Sequence, residues 1–372
     1  MTHEQDSPAA SPACLTVRLG AVAENFRRLA VSAGRARLAP VVKADAYGTG
    51  MAPIARRLLE EGADSFCVAR LAEGIILRAL APTARIFVFD GLGLAQESAF
   101  ATHRLIPVLN TVDEIAAWQT YAEASRTVLD AALMIDTGMN RSGLSSADVT
   151  VLSGRARAAF AGMNLKVIMS HLACDSDASN PQNRRQLQRF RAALAMLPPA
   201  EASLAATGGL HLGPEYLFDL ARPGIGLYGG NPRDGGISPY RMAVRLTGSV
   251  LQLRHIDKGE TVGYGATFTA LRPSRLAIVA MGYADGVLRS AGPRGQAWVA
   301  GHRVPFAGRI SMDLCALDIT ALPDGAVHPG SEVEFLGESV SLEAAGEAAG
   351  TNHHEVLTSI SPRVIRHYVE QE

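Results

Sequence analysis

Lysine is scarce in this chain. Of the 35 lysine and arginine residues among 372, only three are lysines: Lys43, Lys166 and Lys258. Because arginine supplies nearly all of the solvated positive charge, a lysine that ends an apolar run calls for a chemical explanation. Lys43 ends the run "APVVK". Its amine can deprotonate and act as a nucleophile, which a guanidinium cannot do. The alternative is a surface lysine whose stem lies along a strand end.

Excess charge, paired cysteines and long apolar segments are also missing. With 35 basic against 36 acidic residues, nothing favours nucleic acid or an anionic membrane as partner, which leaves small metabolites. The four cysteines show no CxxC spacing, which argues against a disulfide framework or a metal site and suits a reducing cytoplasm. No run approaches the roughly 18 apolar residues of a membrane span. Residues 1–12 are polar and rich in Pro, Ala and Ser, which predicts a disordered tail rather than a signal peptide.

The pattern of apolar runs predicts two domains. Between residues 39 and 230 short continuous runs alternate with helical patterns, as in parallel strands buried on both faces. We count eight runs: "APVVK", "SFCVAR", "RIFVFD", "LIPVLN", "AALMID", "LKVIMSH", "ASLAAT" and "RPGIGLY". Eight such units predict an α/β fold with a closed (β/α)8 barrel over residues 13–236, the alternative being an open doubly wound sheet. Strands separated by Gly, Pro and Asp turns predict a mainly β domain over residues 237–372.

The predicted barrel places the candidate catalytic and phosphate-binding residues at one end. Active sites of such barrels lie at the carboxyl ends of the strands, and phosphate often binds after strands seven and eight. Lys43 ends strand one and points to this mouth, whereas Lys166 begins its strand and Lys258 lies in a turn. The segments "ATGG", with Thr207, and "RPGIG", with Arg222, offer donors for a phosphate dianion. An amine beside a phosphate cradle suggests pyridoxal phosphate, whose aldehyde condenses with lysine. Aldolase-type barrels with a Schiff-base lysine are the alternative.

Seven motifs occur in one order across both predicted domains. They are "VVKADAYGTG", "IDTGMNRSGL", "SHLACDSD", "ARPGIGLYGG", "VGYGATF", "GYADG" and "AGRISMDLC". Together they resemble alanine racemase, from about residue 14 to the end of the chain. The resemblance implies a barrel that binds pyridoxal phosphate, followed by a β domain. It also implies a head-to-tail homodimer whose two sites each combine both subunits, and interconversion of L-alanine and D-alanine by two bases.

The resemblance assigns the two bases and their neighbours. Lys43 would hold the cofactor and act as one base, and Tyr264 of the partner subunit would act as the other, because inversion needs proton removal on one face and delivery on the opposite face. His171 and Arg222 would hydrogen-bond around the tyrosine and the pyridine ring. An arginine keeps its proton, so it would leave the pyridine nitrogen unprotonated and the ring a weaker electron sink. Outside these motifs His171 would be interpreted as a satisfied core histidine and Arg222 as a salt-bridged arginine.

The remaining implied contacts concern the phosphate and the substrate. The phosphate would be bound by Tyr47, Thr207 and the amides of Gly224 and Ile225. The substrate carboxylate would meet Arg141 and, from the partner subunit, Met312. Tyr283 would narrow the entry.

Three positions depart from the family pattern. Met134 stands where relatives carry a lysine that can be carbamylated and then orients the equivalent of Arg141. We hypothesise that a small anion such as chloride, or a nearby carboxylate, takes this place, which anomalous scattering from crystals grown with bromide would test. Ala206 replaces an asparagine, and Pro362 replaces a tyrosine that binds phosphate in some members.

Several alternatives remain compatible with the residues. One is a racemase with a broader range that includes serine, and another is a non-catalytic barrel that binds pyridoxal phosphate. A third is a two-domain decarboxylase, although "GYGATF" and "SMD" match the racemase better. The motifs are compatible both with supply of D-alanine as a peptidoglycan precursor and with alanine breakdown.

Overall fold

The structure is a computed structural model that describes residues 12–370. The predicted tail, residues 1–12, lies outside the described residues except for its last position. The described chain packs into two compact units: one contains residues 22–46 and 51–241, the other residues 12–21, 47–50 and 242–370. The domain limits predicted at 13–236 and 237–372 stay a prediction. Among the described residues, no helix has both the length and the apolar character needed to cross a membrane.

The helices and strands of the first 241 residues alternate along the chain. They are β1 (Ala13–Arg18), α1 (Leu19–Ala33), β2 (Arg37–Leu38), α2 (Lys43–Tyr47), α3 (Met51–Glu60), β3 (Ser65–Val68), α4 (Leu71–Leu80), β4 (Arg85–Val88), α5 (Glu97–Thr102), β5 (Ile106–Leu109), α6 (Val112–Ser125), β6 (Leu129–Met134), α7 (Ser146–Ser153), α8 (Ala156–Ala159), β7 (Met163–Met169), α9 (Pro181–Met196), β8 (Glu201–Ser203) and β9 (Leu220–Ala221).

The remaining elements are mainly strands. They are β10 (Val244–Ile256), β11 (Thr261–Val262), β12 (Phe268–Thr269), β13 (Ser274–Val279), β14 (Gln296–Val299), β15 (His302–Pro305), β16 (Cys315–Asp318), β17 (Glu332–Leu336), α10 (Leu342–Ala349), α11 (His353–Thr358) and β18 (Ile365–Val369).

Eight parallel strands close into a barrel in the first unit. Strands β3 to β8 pair in chain order, and β2 pairs in parallel with β9. The N–H of Val42 donates to the carbonyl of Cys67 at 2.9 Å, which joins the first strand to β3. The N–H of Arg222 donates to the carbonyl of Ala205 at 2.9 Å, which joins the last strand to β8. The predicted (β/α)8 barrel is therefore confirmed.

The sequence forms these elements for local reasons. All four residues of β3 and of β5 are buried, as expected for strands that face helices outside and packed side chains inside. Helix α3 buries Met51, Ile54, Ala55 and Leu58, the stripe that a helical period of 3.6 produces. Helix α9 begins with Pro181, and its first turn is capped by the Asn180 side chain, which accepts the N–H of Gln182 at 3.0 Å.

The first and last barrel strands lie slightly earlier in the chain than predicted. Their ladders cover Arg37–Leu38 and Leu220–Ala221, whereas the runs "APVVK" and "RPGIGLY" begin at residues 39 and 222. The second run turns into a 3-10 helix at Ile225–Tyr228. Pro223 has no N–H to donate to a ladder, and the N–H of Gly224 donates to a side chain instead of a strand.

An eight-stranded sheet forms the second unit and confirms the predicted β domain. Its strands run in the order β15-β14-β17-β10-β1-β18, and β13 pairs with both β10 and β16. The 13-residue strand β10 is central, because it pairs with β1 and β17 along its first part and with β13 along the rest. Strand β1 lies between β10 and β18 and pairs in parallel with β18. Its backbone hydrogen bonds therefore place it in this sheet, although it precedes the barrel in sequence.

We predict that Asn25→Leu destabilises the barrel unit. Asn25 is fully buried. Its Nδ2 donates to the carbonyls of Leu227 and Arg241 at 3.1 and 2.8 Å, and its Oδ1 accepts the N–H of Arg241 at 2.8 Å. Because an unpaired buried polar group costs about 1–3 kcal/mol, we expect a loss of about 3 kcal/mol in the free energy of unfolding, measured by urea denaturation.

The matched control for this prediction is Asn164→Leu. The Asn164 side chain makes one exposed hydrogen bond, to Asp130 at 2.8 Å. We expect a change within about 0.5 kcal/mol for this surface substitution. Equal losses for the two variants would contradict the role given to Asn25.

Candidate active site

Lys43 follows Val42, whose N–H joins the first barrel strand to β3, and the lysine is half-buried. Its Nζ lies 5.8 Å from the centroid of the Phe89 ring. Burial lowers the pKa of Lys43 from its ordinary value of 10.5, and the charge of Arg141 lowers it further, while Glu73 and Asp90 act in the opposite direction. A lowered pKa leaves a larger fraction of the amine neutral near pH 7, as a nucleophile or base requires.

The chain after Lys43 makes one turn of left-handed helix. The φ and ψ angles lie between 50° and 52° at Ala44, Asp45 and Ala46, and φ is 58° at Tyr47. None of these residues is glycine, so the conformation costs roughly 1–2 kcal/mol per residue. Two carboxylates hold the turn: Glu73 accepts the N–H of Ala44 at 2.7 Å, and Asp45 accepts the N–H of Met51 at 2.7 Å. The turn therefore fixes the direction of the backbone next to the lysine.

Arg222 lies in the barrel interior and is only 3% exposed. Its guanidinium donates to the carbonyl of Ser203 at 2.9 Å, to the Ser203 hydroxyl and to the carbonyl of Ser170. No carboxylate among residues 12–370 forms an ion pair with it, so the interpretation as a salt-bridged arginine does not apply. Burial lowers the pKa of Arg222 to about 10, and the side chain stays protonated at neutral pH. The result is a fixed cation inside the barrel.

Thr207 joins the loops that follow the seventh and eighth strands. This residue is buried, and its Oγ1 accepts the N–H of Gly224 at 3.0 Å and the N–H of Gly226 at 3.4 Å. A Cβ on Gly226 would lie 2.7 Å from Thr207 Cγ2, so the close approach requires glycine. The Gly224 N–H predicted to bind phosphate thus donates to Thr207, and Ile225 begins the 3-10 turn beside it.

Asp175 supports the same region and was missed by the sequence analysis. Its Oδ2 accepts the N–H of Gly209 at 3.0 Å, and a Cβ on Gly208 would lie 2.6 Å from its carboxyl carbon. Burial raises the pKa of Asp175, and the charge of Asp234 adds to this, while the hydrogen bond from Gly209 opposes it. The motif "SHLACDSD" contains this aspartate, but nothing in its spacing indicates that it supports the "ATGG" loop.

The other predicted residues of the barrel unit lie at strand ends or, for Arg141, in the loop after β6. His171 follows β7 and is half-buried, and its carbonyl accepts the Gln186 side chain at 2.9 Å. Met134 ends β6 and is buried. Arg141 is exposed and close enough to Lys43 to lower its pKa. Within residues 12–370 no carboxylate forms an ion pair with Arg141, so the hypothesis of a nearby carboxylate gains no support.

Tyr264 belongs to the second unit and is 71% exposed. It begins a 3-10 turn, Tyr264–Ala266, between Gly263 and Gly265, which both have φ of 75°. A tyrosine this exposed is not a packing residue within its own unit. Tyr47 also belongs to this unit by its contacts, and its ring centroid lies 5.9 Å from that of His354.

Tyr283 and Met312 lie on adjacent segments of the second unit and are 40% and 54% exposed. The N–H of Tyr283 donates to the carbonyl of Ser311, and the N–H of Ala284 donates to the carbonyl of Met312, both at 3.0 Å. A Cβ on Gly282 would lie 2.1 Å from the Met312 carbonyl oxygen. The two side chains are therefore presented by one tightly packed pair of loops.

The residues of the barrel unit fit pyridoxal phosphate. Lys43 offers an amine with a lowered pKa, and Arg222 is a buried cation whose described partners are neutral oxygens. Thr207 and the neighbouring glycines form a loop in which side chains would collide. Such a set can hold an aldehyde, a pyridine ring and a phosphate, respectively.

Two family models match the chain. The alanine racemase N-terminal domain matches residues 17–232, and the alanine racemase C-terminal domain matches residues 243–368. The chain is 45% identical to the catabolic alanine racemase of Mesorhizobium japonicum, over 98% of this chain and 95% of the relative. It is 40% identical to the biosynthetic alanine racemase of Agrobacterium fabrum, over 99% and 96%.

A solved structure gives the same result. The alanine racemase of Bartonella henselae with covalently bound pyridoxal phosphate superposes with a TM-score of 0.93 at 37% identity, over 96% of this chain and all of that one. The predicted family is thereby confirmed, and with it the enzyme class, the reaction and the cofactor. The match of both domains argues against a cofactor-binding barrel alone. The chain belongs to the pyridoxal-phosphate-dependent alanine racemase family.

Proposed function

We propose that this chain interconverts L-alanine and D-alanine with Lys43 and Tyr264 as the two bases. The observation that carries the proposal is the half-buried Lys43 amine with its lowered pKa, in the same barrel as the fixed Arg222 cation. Both charges act on the buried Cys67 thiol: burial raises its pKa to about 12, and the charges of Arg222 and Lys43 both oppose that rise.

Each cofactor contact has a proposed residue. Lys43 would hold the group through its amine, and Tyr47 would donate its hydroxyl to the phosphate. Thr207 and the Ile225 N–H would bind the same phosphate, and the Gly224 N–H, which donates to Thr207 Oγ1 at 3.0 Å, would have to share its hydrogen bond to do so. Arg222 would donate to the pyridine nitrogen and keep its own proton. When bound, pyridoxal phosphate draws electron density from the α-carbon of the amino acid and makes its hydrogen acidic.

The chain's own residues then move the proton. The Lys43 amine removes or returns it on one face of the α-carbon, and the Tyr264 hydroxyl does so on the opposite face. A general acid or base must lie within hydrogen-bond reach of the proton it transfers. His171 and Arg222 would hydrogen-bond around Tyr264 and the pyridine ring and hold both in orientation.

The substrate is an amino acid with a small side chain. Arg141 pairs with its carboxylate, which suits an exposed guanidinium without an ion pair in the described chain. Met312 of the partner subunit offers a second contact, and Tyr283 narrows the entry. Alanine is the proposed substrate, and a range that includes serine is the alternative.

We infer that the enzyme works as a homodimer in the cytoplasm. The exposure of Tyr264 and Met312 supports a second copy of the chain as the surface that receives them. The four cysteines, all unpaired, support a reducing compartment. We propose supply of D-alanine as a peptidoglycan precursor as the role, although relatives carry biosynthetic and catabolic names alike. Rescue of a bacterium that requires D-alanine tests this role.

Lys43→Ala should abolish racemisation of L-alanine by purified protein supplied with pyridoxal phosphate. The variant should also retain no cofactor after borohydride treatment and dialysis, because its amine is the covalent attachment point. The measurement is the D-alanine formed, by chiral chromatography. Lys166→Ala is the matched control, since Lys166 pairs with Asp130 at 3.3 Å, and it should keep both properties. An active Lys43→Ala protein would refute the assignment.

Tyr264→Phe should keep the cofactor but lose turnover by about 10²–10⁴-fold, the usual contribution of a general acid or base. The loss should be asymmetric: in deuterated water, one enantiomer of alanine should still exchange its α-hydrogen while the other does not. Tyr121→Phe, on the barrel helix α6, is the control. Equal exchange from both enantiomers by Tyr264→Phe would argue against two bases.

Mixing the two inactive variants should restore activity. If Tyr264 serves the partner's site, a dimer of one Lys43→Ala and one Tyr264→Phe subunit has one site with neither lesion. Random mixing should then recover about a quarter of the wild-type activity, because half of the dimers are mixed. Subunit exchange is verified by native mass spectrometry. Verified exchange without recovered activity would mean that Tyr264 acts within its own chain.

A further inference from the structure

The second unit contains a cavity of about 120 Å³ that none of the proposed site residues lines. Its apolar walls include Leu246 of β10 and the rings of Phe306 and Phe335, whose centroids lie 6.1 Å apart with an interplanar angle of 26°. Small residues of α10 form another part of the wall, among them Ala345 and Ala348. A cavity of this kind resembles the sites of small ligands, which are apolar with a few placed polar groups.

The charged residues that line this cavity are both arginines. Arg294 Nε donates to the carbonyl of Ala348 at 3.0 Å, and Arg303 Nη2 donates to the carbonyl of Ser339 at 3.1 Å. Within residues 12–370 neither forms an ion pair with a carboxylate. Each hydrogen bond engages one of the five N–H groups of its guanidinium. Two exposed cations, each with one hydrogen bond to a carbonyl, therefore line one apolar cavity and have donors left for an anion.

Close packing against the aromatic wall requires a small residue at one position of the lining. A Cβ on Gly295 would lie 2.9 Å from the Phe306 ring, so a larger residue there would displace the aromatic wall. The cavity is close in size to the roughly 150 Å³ apolar cavity that accommodates benzene in an engineered protein. The two rings offer a face on which a flat aromatic body can pack.

We propose that this cavity binds a small aromatic monocarboxylate of about the size of benzoate. Its ring would contact the Phe306 and Phe335 wall, and its carboxylate would accept hydrogen bonds from Arg294 and Arg303, the charge-assisted pairing that guanidinium groups favour. Free amino acids are excluded, because their ammonium group would lie beside two cations with no acidic residue in the lining. The proposal does not depend on racemisation.

The test uses the full-length holoenzyme, saturated with L-alanine so that the racemase site is occupied. Binding of 4-fluorobenzoate is followed by fluorine NMR and compared with 4-fluorobenzamide, which has the same shape without the charge. We expect the carboxylate to bind at least about tenfold more tightly. Arg294→Gln and Arg303→Gln should each weaken its binding about tenfold, whereas Arg272→Gln, an exposed arginine outside the lining, should leave it unchanged.

Two further measurements locate the ligand. Crystals soaked with 4-bromobenzoate should show anomalous bromine density between the two phenylalanine rings and α10. Ala345→Leu should fill the cavity and abolish binding while racemase activity is kept, which also shows that the variant folds. The proposal is overturned by equal affinity for the amide, by unchanged affinity in both arginine variants, by density elsewhere, or by binding at crystal concentration only.

Discussion

The pairing of the first barrel strand with the last is the constraint on which the candidate site depends. The N–H of Ala39 donates to the carbonyl of Ala221 at 2.8 Å, and that of Val41 donates to the carbonyl of Pro223 at 2.9 Å. These bonds close the barrel, and they bring the segment that ends in Lys43 beside the segment that contains Arg222. Two cations thereby lie in one barrel, and the described partners of Arg222 are neutral oxygens. Burial disfavours the charged form of both side chains, and the lysine, whose proton is the more easily removed, is the one that can respond chemically.

The left-handed turn after Lys43 follows from the same closure. The strand stops at the barrel mouth while the chain goes on to α3, and four residues with positive φ begin the connection. Four non-glycine residues in this conformation are costly, and the hydrogen bonds that backbone N–H groups donate to Glu73 and Asp45 offset part of the cost. Backbone strain of this kind persists where contacts with the surrounding structure hold the residues in the strained conformation. Here it keeps the lysine backbone from relaxing out of position.

Much of the fold was readable from the sequence because it rests on local patterns. Continuous apolar runs predicted the barrel strands, and the scarcity of lysine singled out Lys43 before any motif was compared. The left-handed turn could not be predicted, since "ADAY" contains none of the glycine that favours positive φ. The sheet to which β1 belongs could not be predicted either, because β1 pairs with Gly248, Ile365 and their neighbours, more than 200 residues away. The neutral partners of Arg222, and the support that Asp175 gives to Gly209, likewise depend on contacts that spacing does not reveal.

The loops of the second unit that carry Tyr283 and Met312 are exposed, and side-chain hydrogen bonds nevertheless hold them in place. Asp285 is buried and accepts both the N–H of Gly282 at 2.8 Å and Arg363 Nε at 2.7 Å, while Arg363 Nη2 donates to Asp313 at 2.8 Å. This network ties the segment before Asp285 to the one that carries Met312. Such a network has little effect on the function of a loop that contacts only solvent. It matters for a side chain that must lie within hydrogen-bond reach of a reacting atom, because a rigid support removes the entropic cost of ordering that side chain at each turnover.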